Sequence, residues 1–300
     1  MQFQQLRSFV AVAELRHFTQ AAERIGIAQP SLSKQIHSLE ADLGTPLFER
    51  GPAGVALTQA GEALLPFATR IVADADTARR AIEQLVGLGR GRVRLGATPS
   101  LSTSIVPALL RRFSTKYAGI DLQIEEGGSR DLERSLAGGG LDLALIVLRE
   151  VGTDPALAAE PLLRERLVVA STGALPKEIA IGELRERPLV MFRPGYDLRD
   201  ATLEACRRAG FVPRFAVEGG EMDAVLSLVE AGLGAAIVPG GVLAGRRGLH
   251  AARITPAMHR IIALAHRRDA PLPHAADALR ATLKVHLYAR KLPAGDKLLF

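Results

Sequence analysis

Apolar residues recur at helical period through the first 43 positions. Phe3, Leu6, Val10 and Ala13 mark one helix, and Ala21, Ala22 and Ile25 a second, shorter one. Leu32, Ile36, Leu39 and Leu43 step by four, three and four along a third. Gly26 supplies the turn between the second and third, because glycine tolerates left-handed backbone. Pro30 suits the start of the third helix, with its fixed φ and no N–H to satisfy. Short apolar segments at 46–48 and 55–57 then flank a Gly-Pro-Ala-Gly turn, the pattern of a β-hairpin. From Thr58, a good N-cap, the residues Ala60, Leu64, Phe67, Ile71, Ala75, Ala78, Ile82 and Leu85 repeat at near-heptad spacing. Such a stripe predicts about 45 Å of helix. Its other face is charged, and a stripe this long has no room to be buried within so small a domain, so it predicts a second copy of the chain. Packing on the C-terminal domain is the alternative. Pro66 removes one helix bond and predicts a kink; glycines at 87, 89 and 91 end the helix.

From residue 92 strands alternate with helices. RVRLGA, DLQIEEG, LDLALIV, RLVVAS, PLVMF, PRFAVEG, AAIVP and IIALAH read as strands, with amphipathic helical segments between them. This predicts an α/β domain with a mostly parallel sheet in two lobes. A last helix places Ala276, Leu279, Leu283 and Leu287 on one face.

Chemistry enters first through the third helix. Opposite its apolar stripe lie Pro30, Lys34 and His37, flanked by Ser31, Ser33 and Ser38 and with Gln29 at the groove-facing N-terminus, a small, hydrogen-bonding face with one cation and no carboxylate before Glu40. Such a helix enters a major groove without a charge clash. A helical hairpin buried in a core reads the same way, and the β-hairpin that follows favours a winged helix-turn-helix. Arg50, at the base of the wing, is placed to reach a phosphate. Bulk charge adds nothing here. The whole chain is +6, yet residues 1–60 hold five cations and five anions.

The segments FVAVAE, FTQAA, QPSLSKQIHSLE, LGTPLFER and LTQAGEALLP together resemble the N-terminal domain of LysR-type transcriptional regulators. The length and second-half layout extend the resemblance over the whole chain. It implies a winged helix-turn-helix at 1–58, a linker and dimerisation helix at 59–90, and an effector-binding domain at 91–300 of the type 2 periplasmic-binding-protein fold. The tail is then expected to return to the first lobe, giving lobe I as 91–161 plus 267–300 and lobe II as 162–266. The resemblance also implies double-stranded DNA with an interrupted palindrome as target, contact with RNA polymerase, and a tetramer assembled from dimers. The dimer seam falls to Leu64, Phe67, Ile71, Ala75, Ala78 and Ile82.

Open α/β sheets bind ligands beyond the carboxyl ends of their strands. Four loops are expected there, at 97–102, 127–129, 192–197 and 219–222. By resemblance they ring the effector cleft. The candidates are Thr98, Ser100, Ser102, Gly128, Ser129, Tyr196 and Met222, with Arg149 and Arg193 as bidentate partners for a carboxylate. Helix capping and solvated cations are the alternative readings of these residues.

Cys206 is the only cysteine, so an intrachain disulfide is excluded. The histidines show no metal-ligand spacing, and no nucleotide-binding signature occurs; neither metal nor cofactor is expected. LALIVL is far too short to span a membrane, and no leader pattern opens the chain, which points to the cytoplasm. The reading is a ligand-responsive DNA-binding regulator and not an enzyme. The alternative is a cytoplasmic small-molecule-binding protein or enzyme on the same two-lobed fold.

Overall fold

The computed structural model describes residues 1–51, 54–86, 91–149 and 152–300. The chain divides into two compact units, the first carrying Met1–Val86 and the second Leu141–Phe300 with most of the segment before it.

In the first unit, α1 (Phe3–Leu15), α2 (Phe18–Ile25) and α3 (Gln29–Leu43) pack around Phe9, Val12, Ala21, Leu32, Ile36 and Leu39. The small Ala21 and Ala22 let α2 and α3 approach closely, and Gly26 closes α2 at φ +74°. Burying Leu32, Ile36 and Leu39 fully stabilises the unit by roughly 1.5–3 kcal/mol each. Leu43 departs from the expected stripe: it stands 42% exposed, one turn beyond the end of the core. Pro30 occupies the second helical position, after Gln29.

The wing is the antiparallel pair β1 (Phe48–Gly51) and β2 (Gly54–Leu57). Its first strand starts later than the apolar pattern suggests, because Glu40 Oε1 accepts the Leu47 N–H at 2.8 Å and so fixes the entry to the strand. Phe48 anchors the hairpin through ring contacts to Phe9 at 5.3 Å and Phe18 at 5.9 Å. Thr58 caps α4 (Gln59–Val86), accepting the Gly61 N–H at 3.0 Å. Gly61 is required there, since a Cβ would sit 2.2 Å from the Leu47 carbonyl oxygen. α4 continues through Pro66.

In the second unit, β3 (Gly91–Ala97) lies parallel between β4 (Ile120–Glu126) and β5 (Leu143–Leu148). The helices α5 (Pro99–Ser104), α6 (Val106–Lys116) and α7 (Ser129–Ala137) follow these strands. β6 (Leu157–Ser171) is the spine of the unit. Downstream of it come β7 (Glu178–Ala180), β8 (Leu189–Met191), α8 (Asp197–Arg208), β9 (Phe215–Glu218), α9 (Met222–Glu230), β10 (Ala236–Pro239), β11 (His250–Thr255), β12 (His259–Arg267), α10 (His274–Ala289) and β13 (Lys297–Leu298).

The main sheet runs β4-β3-β5-β12-β6-β11-β7, with β10 and β13 also on β6. It is mixed, not mostly parallel: β6 is antiparallel to β10, β11, β12 and β13, and β12 is antiparallel to β5. β8 and β9 form a separate parallel pair.

Each lobe has its own core. Val93, Leu95, Phe113, Leu162, Ile262, Leu264 and the buried face of α10 form one; Val169, Met191, Phe192, Met222, Val225 and Ile237 belong to the other. α10 lies with β3 and α6, on the core that also holds Leu162 and Ile262. Leu162, Leu163 and nearly all of β12 belong to the first lobe, because β12 pairs with β5 along 261–265 and with the first part of β6. β6 crosses between the lobes near residues 164–167, and the 256–258 connection crosses back.

Candidate DNA-reading helix and interlobe cleft

On α3, Gln29, Pro30, Ser31, Lys34 and His37 are exposed and Ser33 is half-buried. This is the face opposite Leu32, Ile36 and Leu39. Gln29 Nε2 donates to Ser33 Oγ at 3.0 Å, which orders the first turn of the face. Glu40 bounds it: its Oε2 lies 3.3 Å from His37 Nδ1 while Oε1 holds the wing. The helix therefore presents amide, hydroxyl and one ammonium group, with its nearest carboxylate already engaged. Arg50's side chain lies outside the described residues.

Along α4, Phe67, Ile71 and Ile82 are 65%, 41% and 63% exposed, and Ala75 and Ala78 are exposed beside them. Leu64 instead packs against the head's own core. The stripe thus divides by position, its start packed with α1 and Phe67, Ile71, Ala75, Ala78 and Ile82 open.

The predicted cleft loops do converge between the two lobes. Thr98 precedes α5, and Ser100 is fully buried in its first turn. Ser129, the first residue of α7, accepts the Val147 N–H at 3.0 Å and donates to Asp197 Oδ2 at 2.6 Å, joining the lobes. Gly128 faces the Gly195 carbonyl oxygen so closely that a Cβ would stand 3.4 Å from it. Tyr196 stacks on Phe192 with centroids 4.7 Å apart. Met222 is fully buried in the core of the second lobe and presents no free surface.

Both arginines expected to meet a carboxylate already have one. Arg149 donates to Glu133 at 2.7 Å, and Arg193 pairs with Glu221 at 2.6 Å. Burial holds the Glu133 carboxyl above its ordinary range despite Arg149. At the end of β4, burial also raises the Glu126 carboxyl; nearby Ser102 opposes that and the Glu221 charge adds to it.

A different arginine reaches the serine loop. Arg260 on β12 lies opposite Glu165 on β6, and their side chains are only 6% and 4% exposed. Arg260 Nε donates to Glu165 Oε2 at 2.8 Å, and one Arg260 NH2 group donates to Ser100 Oγ at 2.9 Å. The Tyr196 hydroxyl is buried beside Ser100 without a completed hydrogen bond, and burial raises its phenol well above the ordinary value. Asp296 adjoins the same cluster; burial pushes its carboxyl up to about 6, although it accepts the Arg166 N–H. The sequence pattern did not reveal Arg260, Glu165 or Asp197. Asp197 had a local signal, an acidic residue opening a helix opposite the Gly-Ser turn. Arg260 and Glu165 had none, because only the β6–β12 register brings them together.

Comparison with known proteins accounts for both units. Residues 3–62 match the family model "Bacterial regulatory helix-turn-helix protein, lysR family", and residues 87–287 match "LysR substrate binding domain". A probable hydrogen peroxide-inducible genes activator of Streptomyces viridosporus is 33% identical, over 93% of this chain and 92% of that protein. A full-length OxyR variant of Pseudomonas aeruginosa superposes with TM-score 0.75 at 26% identity, covering 95% of each chain. The LysR-family regulator CbnR, solved in complex with its target DNA, superposes with TM-score 0.68 at 27% identity, over 95% of this chain and all of that one. Winged head, long helix and two-lobed domain thus occur together in proteins that regulate transcription and are not enzymes, and the chain belongs to the LysR family of ligand-responsive transcriptional regulators.

Proposed function

We propose that this chain binds an interrupted palindrome as a homodimer, two of which form the tetramer, and that a small carboxylate effector in the interlobe cleft sets how the paired heads meet DNA and RNA polymerase. The cytoplasm is its place of action. Gln29, Pro30, Ser31, Ser33, Lys34 and His37 read the groove, with Arg50 on a phosphate. The effector meets Thr98, Ser100, Ser102, Gly128, Ser129 and Tyr196. Phe67, Ile71, Ala75, Ala78 and Ile82 form the seam.

The observation that carries this reading is the exposed, carboxylate-free face of α3, beside a wing held by Glu40. A gel-shift titration with the DNA upstream of the chain's own gene, against random duplex of equal length, tests it. Preferential binding of the upstream fragment, weakened by Lys34→Ala, is the expected result. Equal affinity for both duplexes in wild type and variant overturns it.

A further inference from the structure

The hydrogen bonds at the cleft floor have a fixed direction. A guanidinium only donates, so Ser100 Oγ is the acceptor of the 2.9 Å bond from Arg260. The single Ser100 O–H is therefore left to donate. Thr98 Oγ1, 3.4 Å away, is itself a hydroxyl and offers only a long contact. Tyr196 brings a second buried O–H to the same spot from the other lobe, 3% exposed and without a completed bond. Two buried donors and a cation thus converge where the lobes meet. The negative charge that balances the cation, Glu165, belongs to the protein itself.

We propose that Arg260, held by Glu165, is the positioning residue of the cleft floor: by filling the acceptor side of Ser100 it directs the hydroxyls of Ser100 and Tyr196 onto one carboxylate of the effector. Arg149 and Arg193 are not its charge partners, because each is committed to a glutamate of its own. Glu165 competes with the ligand for Arg260. It keeps the buried guanidinium neutralised in the empty cleft and sets how strongly an entering anion is attracted. Asp296 and Arg290 flank the same pair. A buried charge needs such a partner, and here the partner also tunes the site. This inference rests on the cleft being the effector site.

Three consequences separate it from a purely structural ion pair. The full-length protein is titrated, by thermal shift and calorimetry, with propionate, benzoate and succinate and with the corresponding amides and amines. At least one carboxylate should bind, and no amine or amide should bind more tightly than its matching acid. Tyr196→Phe keeps the stack on Phe192 and removes only the unpartnered hydroxyl, so it should weaken carboxylate binding about tenfold while leaving the unliganded melting temperature in place. Glu165→Gln keeps the shape and an acceptor for Arg260 but removes the competing charge; carboxylates should then bind about tenfold more tightly. A structural pair predicts the opposite sign, with loss of stability and no gain in affinity. Preference for an amine or amide, absence of binding by all three acids, unchanged affinity in Tyr196→Phe, or no gain in Glu165→Gln overturns the assignment. The gel shift without ligand is independent of these readouts. A protein that binds its operator but fails here loses the cleft-floor assignment and keeps its place as a DNA-binding regulator.

Discussion

Single residues act in this protein chiefly through what each is already bonded to. Cys206 is fully buried, and burial pushes its thiol up to about 11. At neutral pH it is protonated, and the thiol form is a poor nucleophile. Although one relative is a probable peroxide-inducible activator, Cys206 should resist alkylation and peroxide in the native protein. Counting modified thiols by mass spectrometry before and after unfolding checks this; rapid native modification would contradict it. Asp296 gives a signed pH effect. Its carboxyl is raised to about 6 from an ordinary value of 3.8, so the folded state holds the proton more tightly than the unfolded chain. Stability from this group is present below the unfolded value and is lost as pH rises through about 6. Asp296→Asn retains an acceptor for the Arg166 N–H and removes the buried charge. It should raise the melting temperature at pH 8 and leave it nearly unchanged near pH 4; a loss at pH 8 would show that the charge stabilises the fold. Lys34 is exposed. Lys34→Ala should cost about 1–3 kcal/mol on the specific site if its ammonium meets a base, or a similar loss on every duplex with a shallower salt slope if it meets phosphate.

At the scale of elements, legibility followed periodicity. The α3 stripe, the Thr58 cap and the Gly26 turn were readable because each is decided by neighbours in sequence. β6 was not. Only RLVVAS reads as a strand, since Glu160, Arg164 and Glu165 break the apolar pattern before it. Two of those charges are tolerated through partners distant in sequence, Lys284 for Glu160 and Arg260 for Glu165, and Asp296 accepts the Arg166 backbone N–H. The cleft loops were legible from strand ends and glycines, whereas the Ser129–Asp197 bridge and the ion pairs of Arg149 and Arg193 depend on tertiary register. α4 carries the prediction at this scale. Ile71 is 41% exposed in the single chain, so Ile71→Glu costs the monomer fold little. In a two-fold seam it buries an unpaired charge, which costs several kcal/mol unless the helices separate. Sedimentation should show a smaller species with unchanged circular dichroism and weakened operator binding. A variant of wild-type mass would place the seam elsewhere.

Across the whole molecule, regulation requires that the effector favour one arrangement of the lobes over another, since a ligand shifts an equilibrium only by its difference in affinity for the two states. The bond from Ser129 to Asp197, at 2.6 Å, belongs to the arrangement in which Gly128 and Gly195 nearly touch. It is charge-assisted, and such bonds contribute more than neutral ones. Ser129→Ala removes it, so the closed arrangement loses stability relative to an open one; the Val147 N–H, within the first lobe, loses its acceptor in both arrangements alike. The cleft-floor donors Ser100 and Tyr196 come from opposite lobes and meet one ligand only when the lobes are together. Opening therefore lowers the fraction of molecules competent to bind, and the apparent affinity falls in proportion. Ser129→Ala should accordingly weaken carboxylate binding about five- to twentyfold, within the usual range of coupling energies. Without ligand the operator footprint should shift toward that of the open arrangement, and saturating carboxylate should restore the wild-type footprint, because mass action refills the closed state. Titrating the footprint with carboxylate in both proteins measures this. If Ser129→Ala instead binds the carboxylate more tightly, the lobe arrangement described here is the one the effector opposes, and the direction of the switch is reversed.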